Sequence, residues 1–251
     1  MSTPIASTVL KAFEVLDLLS RHDGLSVQEC AEELGIPRST AYRLLATLRA
    51  AGAVEVTDNR FRVGVRMIAM GLNSPVHRRL VERSSSRLHS LAAYLQVAFR
   101  LSALTPTGLV TLFRAVGPGL EPGAKAPVHA SADGKLLAAF SDAEEPTRLL
   151  DGPLDAHTSS TITDNRALAA ELVLVRRRGF AEDRGESATG LYGLAVPVHD
   201  HDINGGLVAL AVYARMPVDS HRMRSLYTHI VRLARELEPS LATPLRLAAN
   251  Q

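Results

Sequence analysis

Apolar positions recur at helical spacing from the start of the chain. Val9, Ala12, Phe13, Leu16 and Leu19 predict a first amphipathic helix that ends near Asp23-Gly24. Ser26-Val27-Gln28-Glu29 has the form of a capping box: the Ser26 hydroxyl accepts from the Glu29 amide, and the Glu29 carboxylate accepts from the Ser26 amide. Val27, Cys30, Ala31 and Leu34 give the short helix that follows one apolar face, closed at Gly35. Pro37 suits the first position of a third helix, where its missing N–H costs nothing. Ala41, Leu44, Leu45 and Leu48 form that helix's buried face, and Gly52 ends it. The period then changes to two. Val54 and Val56 alternate with Glu55 and Thr57, and Phe61 and Val63 with Arg60 and Arg62. A two-residue turn at Asp58-Asn59 sets Val56 opposite Phe61 and Val54 opposite Val63, so one face of the hairpin is apolar throughout.

Asn73-Ser74-Pro75 marks a boundary. Beyond it Val81, Ser84, Leu88, Leu91 and Leu95 repeat at alternating spacings of three and four, with Arg78, Arg79, Arg83 and Arg87 among them. Such a seam packs either against a second chain or onto the chain's own C-terminal domain. Ala98–Leu104 and Gly108–Ala115 read as strands, Gly117–Pro127 as a Gly/Pro-rich loop, and a helix is expected near Asp133–Ser141. Thr163 offers a cap for a helix from Asp164 to Arg178, ended by Gly179. Leu191–Val198 and Leu207–Tyr213 read as a buried antiparallel pair, and a last helix spans Ser220–Leu241. There is no internal repeat. The pattern predicts an α+β chain: a winged helix-turn-helix over 1–72, a linker helix over 73–96, and an α/β sheet domain over 97–251.

Composition narrows the class. With 251 residues, 46% hydrophobic and 22% charged, the chain has the profile of an ordinary globular protein. One cysteine, Cys30, excludes an intrachain disulfide and Cys-based zinc or iron–sulfur sites; its place on an apolar face makes it a small core residue. No apolar run reaches a membrane-spanning length, and the N-terminal residues lack a signal-like apolar stretch, so a cytoplasmic location and no membrane partner are expected. The formal charge of +2 excludes an indiscriminate polycation. It also hides a reversal. Met1–Ile36 carries two basic and six acidic residues, net −4, whereas Pro37–Arg66 carries six arginines and two acids, net +4.

That reversal falls at the start of the third helix, whose outward face has an unusual make-up. Ser39, Arg43, Ala46 and Ala50 lie opposite the apolar stripe, flanked by Thr40, Tyr42 and Thr47, with no acidic residue. A helix entering the major groove of double-stranded DNA needs small residues for close approach, hydroxyls for phosphates and an arginine for guanine edges. Arg43, with Ser39, Thr40 and Tyr42, is therefore expected to face the groove. Arg38 and the hairpin arginines Arg60 and Arg62 are expected to hold phosphates.

At this point the chain resembles the IclR family of bacterial transcriptional regulators over nearly its whole length. The resemblance rests on Gly35-Ile-Pro-Arg-Ser-Thr-Ala-Tyr-Arg-Leu-Leu45 in the first domain and on three later stretches. These are His129-Ala-Ser-Ala-Asp-Gly-Lys135; Thr161-Ile-Thr-Asp164 leading to Arg178-Gly-Phe-Ala-Glu-Asp183; and Gly185-Glu186 followed by Gly190 and Ala195-Val-Pro-Val198. The resemblance implies a GAF-like C-terminal domain with a pocket for a small-molecule effector, and a protein acting on operator DNA as a homodimer or dimer of dimers. By family position, Ala132 and Asp133 would offer backbone amides to an effector carboxylate, and Asp183, Leu191, Gly193 and Ala211 would line the rest. A Cys is common in the family where Gly193 stands and a Ser where Ala211 stands. Their absence predicts extra room and a larger or more apolar effector.

Other candidates carry less. His199-Asp-His-Asp202 has four potential metal ligands, but alternate residues of a strand diverge, and Asn204-Gly-Gly206 places the run at a hairpin turn. Arg176-Arg177-Arg178 falls in a last helical turn, where cations oppose the helix dipole. No nucleophile elbow, phosphate loop or HExxH motif is present, so no catalytic residue, metal or cofactor is expected. The rival reading is a small-molecule sensor or enzyme whose N-terminal domain only contacts proteins. Acidic residues on the outer face of the third helix would favour it.

Overall fold

In the computed structural model, residues 6–105, 107–118, 120, 127–141, 152–199 and 206–241 are described. The chain divides into two compact units, Met1–Pro75 and Val76–Gln251.

The first unit holds α1 (Ser7–Leu19), α2 (Val27–Glu33), α3 (Arg38–Ala50), the strands β1 (Val54–Thr57) and β2 (Arg60–Val63), and α4 (Val65–Leu72). The capping box of α2 is formed in full, with Ser26 Oγ accepting from the Glu29 amide and Glu29 Oε2 from the Ser26 amide. Both α2 and α3 end in a glycine-closed double bond: Ile36 N donates to Ala31 O and Gly35 N to Glu32 O, then Ala53 N to Leu48 O and Gly52 N to Arg49 O. Gly35 and Gly52 supply the left-handed residue each closure needs, at φ +61° and +72°. The hairpin has the expected register, Val54 opposite Val63 and Val56 opposite Phe61. Asp58 and Asn59 make its turn, at φ 51° and 60°.

Three expectations shift. Pro37 caps α3 from outside, in extended backbone, and lies one residue before the expected position. In α1 the buried residues are Val15, Leu18 and Leu19, while Val9 and Phe13 stand 54% and 60% exposed. Val15 and Leu18 lie beside the expected stripe, of which Leu19 is buried and Ala12 and Leu16 half-buried; packing against α3 and β2 turns this neighbouring face inward. The apolar α4 was not foreseen: Val65, Ile68, Met70 and Leu72 are all exposed, and only Met67 leans on the core.

In the second unit, the described residues contain a five-stranded antiparallel sheet of order β4-β3-β7-β6-β5. Its strands are β3 (Ala98–Thr105), β4 (Gly108–Val116), β5 (Ala181–Arg184), β6 (Leu191–His199) and β7 (Leu207–Arg215). On one face, α5 (Pro75–Leu95) and α8 (Ser220–Leu241) pack through Leu88, Ala92, Leu226 and Ile230 against Phe99, Leu194 and Leu210. The seam of α5 thus meets its own domain, with Ser84 and Leu88 buried. On the other face lie α6 (Ala132–Phe140) and α7 (Asn165–Arg178). The cap of α7 is Asp164 and not Thr163, because the Asp164 carboxylate accepts from the Ala167 amide at 2.8 Å. Gly179 closes that helix at φ +80°. Arg176 reaches beyond its own helix and donates to the Ala139 and Ser141 carbonyls at the end of α6, at 2.6 and 3.3 Å. β5 escaped the sequence pattern because Ala181-Glu-Asp-Arg184 is polar, yet it closes the sheet edge against β6. Most of the Gly117–Pro127 loop, and His199–Asp202 beyond His199, lie outside the described residues.

Candidate DNA interface and effector site

On α3 the four buried side chains face the core and leave the opposite stripe open. Arg38, Ser39, Tyr42, Arg43 and Thr47 are exposed, and Thr40 is half-buried. The Thr47 hydroxyl donates back to the Arg43 carbonyl at 2.8 Å, which fixes its rotamer along the helix. Ala46 and Ala50 continue the stripe without bulk, and no acid interrupts it. At the far end, Arg66 donates to the Ala51 carbonyl, a helix-end contact that sequence spacing did not reveal. The hairpin arginines are exposed on the polar face but are tied to the α1–α2 turn. Arg60 bonds Gly24 O and Glu29, and Arg62 bonds Asp23 O.

In the second unit the sequence-predicted effector residues converge where α6 crosses the sheet. Asp183 on β5 sits opposite Gly193 on β6, which sits opposite Tyr213 on β7; Ala211 pairs with Arg100 of β3. Ala132 and Asp133 open α6 immediately after its cap, Ser131. Leu191 is half-buried at the start of β6.

The site is densely polar and buried. The Asp133 carboxylate is fully buried and accepts from Arg100 Nε at 2.7 Å, Arg100 Nη2 at 2.5 Å, Ser102 Oγ at 2.6 Å and the Tyr213 hydroxyl at 2.7 Å. Burial pushes this carboxyl up, but the Arg100 charge and these hydrogen bonds outweigh it and hold Asp133 below the usual carboxylate range. Burial and the neighbouring Asp133 charge raise the Tyr213 phenol, so it stays a donor. Lys135 Nζ bonds Glu186 Oε1 at 2.6 Å, while Glu186 Oε2 is buried with no hydrogen-bond partner. Asp183 accepts from the Glu186 and Ser187 amides and the Ser187 hydroxyl. Burial raises both Asp183 and Glu186 against the pull of Lys135.

The expected spare room at Gly193 is absent. A Cβ there would stand 2.5 Å from Tyr213 Cε1 and 3.1 Å from Asp183 Cβ, so the space left by the missing side chain holds the Tyr213 ring. Sequence reading also missed Arg100, Ser102 and Tyr213. The legible signal was Arg100, a lone charge inside an otherwise apolar strand. Among the described residues no group of three or more His, Cys, Asp and Glu is placed to hold a metal, and no helix is long and apolar enough to cross a membrane.

Comparison with known proteins agrees with both units. Residues 8–58 match the model of the IclR helix-turn-helix domain, and residues 115–251 match that of the bacterial transcriptional regulator IclR C-terminal domain. The HTH-type transcriptional regulator BhcR of Paracoccus denitrificans is 30% identical over 242 residues, covering 92% of this chain and 86% of that protein. A crystal structure of a putative IclR transcriptional regulator from Silicibacter sp. TM1040 superposes with a TM-score of 0.78 at 27% identity, covering 95% of this chain and 98% of that one. An IclR homologue from Microbacterium hydrocarbonoxydans, complexed with 4-hydroxybenzoate, shares the fold with a TM-score of 0.74 at 21% identity, covering 93% and 98%. With a helix-turn-helix presenting an acid-free arginine face and an α/β domain enclosing buried charges, the chain belongs to the IclR family of transcriptional regulators and is a regulator, not an enzyme.

Proposed function

We propose that α3 reads operator DNA in the major groove, and that a small molecule bound in the second unit modulates this binding. The observation that carries the DNA reading is the exposed, acid-free stripe of Ser39, Arg43, Ala46 and Ala50, flanked by Thr40, Tyr42 and Thr47. Arg43 contacts a guanine edge. Arg38, at the start of α3, and Arg62, on the wing, lie at phosphates, and Arg60 belongs to the same wing.

The effector site is Ala132, Asp133, Asp183, Leu191, Gly193 and Ala211. An anionic group of the effector takes the amides at the start of α6. What supports this is the concentration of buried charge there: ionic groups taken out of water each cost several kcal/mol and cluster at functional sites. The homologue complexed with 4-hydroxybenzoate supports a small organic acid as the class.

The protein acts as a homodimer or dimer of dimers. The exposed apolar residues of α1 (Val9, Leu10, Phe13) and α4 (Val65, Ile68, Met70, Leu72) support self-association, because such surfaces are kept where a partner covers them.

A gel shift on the DNA upstream of the protein's own gene tests the reading. Arg43→Ala is expected to cost about 1–3 kcal/mol there and to relax base preference at one position. In the same assay 4-hydroxybenzoate shifts wild-type affinity and leaves Asp183→Ala unmoved. A sequence-blind loss in Arg43→Ala removes the helix assignment; an identical shift in Asp183→Ala removes the effector site.

A further inference from the structure

Arg60 is committed on two sides. Its Nε donates to the Gly24 carbonyl at 3.1 Å, and its Nη2 reaches Glu29 Oε1 at 3.2 Å. Glu29 is at the same time the capping-box acid of α2, with Oε2 accepting from the Ser26 amide at 2.7 Å. One carboxylate therefore joins the first turn of α2 to the wing. The backbone is held alongside, since Leu25 and Phe61 exchange both bonds, at 2.9 and 2.7 Å. Gly24, at φ +99°, lies close beneath both arginines: a Cβ there would stand 3.0 Å from Arg62 Nε and 3.2 Å from Arg60 Cβ. Arg62 is held more loosely. Its Nε donates to the Asp23 carbonyl at 3.2 Å, and the Asp23 carboxylate, 3.4 Å away, is 99% exposed.

We propose that Arg60 is a positioning residue for DNA binding, fixing the wing against α2 through Glu29, and that Arg62 supplies the wing's phosphate contact. Exposed ion pairs contribute little when both long side chains must be ordered to form them. Here the capping box has already ordered Glu29, so Arg60 meets a pre-set partner. Turning Arg60 toward a phosphate would give up both the Gly24 carbonyl and Glu29. Arg62 would give up only the Asp23 carbonyl, because the Asp23 carboxylate is solvated either way.

The inference rests on the DNA-binding reading of the first unit. Its test is fluorescence anisotropy of the full chain on a 30-base-pair duplex from upstream of its own gene, across a salt series, with folding checked by circular dichroism. The variants are Glu29→Gln, which keeps a capping-box acceptor, Arg60→Ala, their double, Arg60→Lys and Arg62→Ala. Glu29→Gln is expected to weaken binding by about two- to fivefold, although it removes a negative charge from a protein that binds a polyanion. Arg60→Ala gives the same loss, and the double variant is no worse. Arg60→Lys behaves like Arg60→Ala, because lysine lacks the fork that spans both acceptors. The slope of log affinity against log salt stays at the wild-type value for Glu29→Gln and Arg60→Ala, and falls by about 0.9 for Arg62→Ala. Additive losses, tighter binding by Glu29→Gln, or a slope lowered by Arg60→Ala would overturn the proposal. Failure of the wild type to bind any duplex would instead remove the DNA reading beneath it.

Discussion

Replacing Gly193 with alanine probes the buried polar site through a single methyl group. The backbone of Gly193 lies outside the left-handed region, so alanine meets no conformational penalty there, and in a strand it gains about 0.5–1 kcal/mol over glycine. The obstacle is steric. The new Cβ would stand 2.5 Å from Tyr213 Cε1 and 3.0 Å from Cδ1, where carbon contacts settle near 3.5–4.0 Å. The ring must move by about 1 Å, and it has little freedom to do so. Tyr213 is 1% exposed, and its hydroxyl donates to Asp133 and accepts from Arg100, each at 2.7 Å. Overpacking of a filled core costs about 1–3 kcal/mol, and a strained bond to a charged partner costs about 1 kcal/mol or more. After the strand gain, a net loss of about 1–3 kcal/mol is expected, which lowers the melting point of a domain this size by about 2–12 °C. Differential scanning calorimetry of the full chain, following the transition of the second unit, measures it. The control is the same substitution with Tyr213→Ala in place, where the ring clash has gone, only the 3.1 Å approach to Asp183 Cβ remains, and the cost of Gly193→Ala falls toward zero. An equal cost in both backgrounds, or none beside Tyr213, would refute the claim that the Tyr213 ring fills the Gly193 gap.

Two further outcomes follow from the charges and the exposed apolar faces. Asp183 and Glu186 have folded-state pKa values raised by burial, so the folded protein takes up protons before the unfolded chain does; mild acidification from neutral pH stabilises the second unit. Asp133 is shifted the opposite way, so its contribution holds above the ordinary carboxylate range and is lost as pH falls through its lowered pKa. As pH is lowered from neutral the melting temperature should first rise and then fall, with the rise reduced in Glu186→Gln; a rise of unchanged size in that variant would remove Glu186 from the account. In sedimentation, the wild type is expected as a dimer or larger and Ile68→Glu as a smaller species, since a charge on the exposed face of α4 opposes burial against a second copy. A monomeric wild type would dismiss α4 as an interface.

Much of the first unit was legible because its determinants are local. The Ser26–Glu29 box, the glycines after α2 and α3, and the alternation across Asp58-Asn59 act within a few residues, and each appears at its expected place. The outer face of α3 followed from the helical period alone. Where several faces of a helix are apolar, period loses its power. In α1 the buried face, Val15, Leu18 and Leu19, is turned from the expected stripe, and only contact with α3 and β2 selects it over Val9 and Phe13. The polar strand β5 was invisible for a related reason: a strand that carries buried carboxylates has no apolar alternation to read.

The candidate effector site divides along the same line. The family resemblance pointed to Asp133, Asp183 and Gly193, and cross-strand register pairs Asp183 with Gly193 and Gly193 with Tyr213. Their chemistry was set by residues far away in the chain. Arg100, 33 positions from Asp133, neutralises the carboxylate; Tyr213, 80 positions away, donates a hydrogen bond to it and fills the space that Gly193 leaves. By itself the sequence determined helix ends, the hairpin register and the acid-free arginine face, since hydrogen bonds and periodicity within a few residues decide them. Tertiary structure decided which apolar face is covered, which partner each buried charge takes, and that Arg60 is bound to Glu29. Those outcomes depend on distances between segments that only the folded packing brings together.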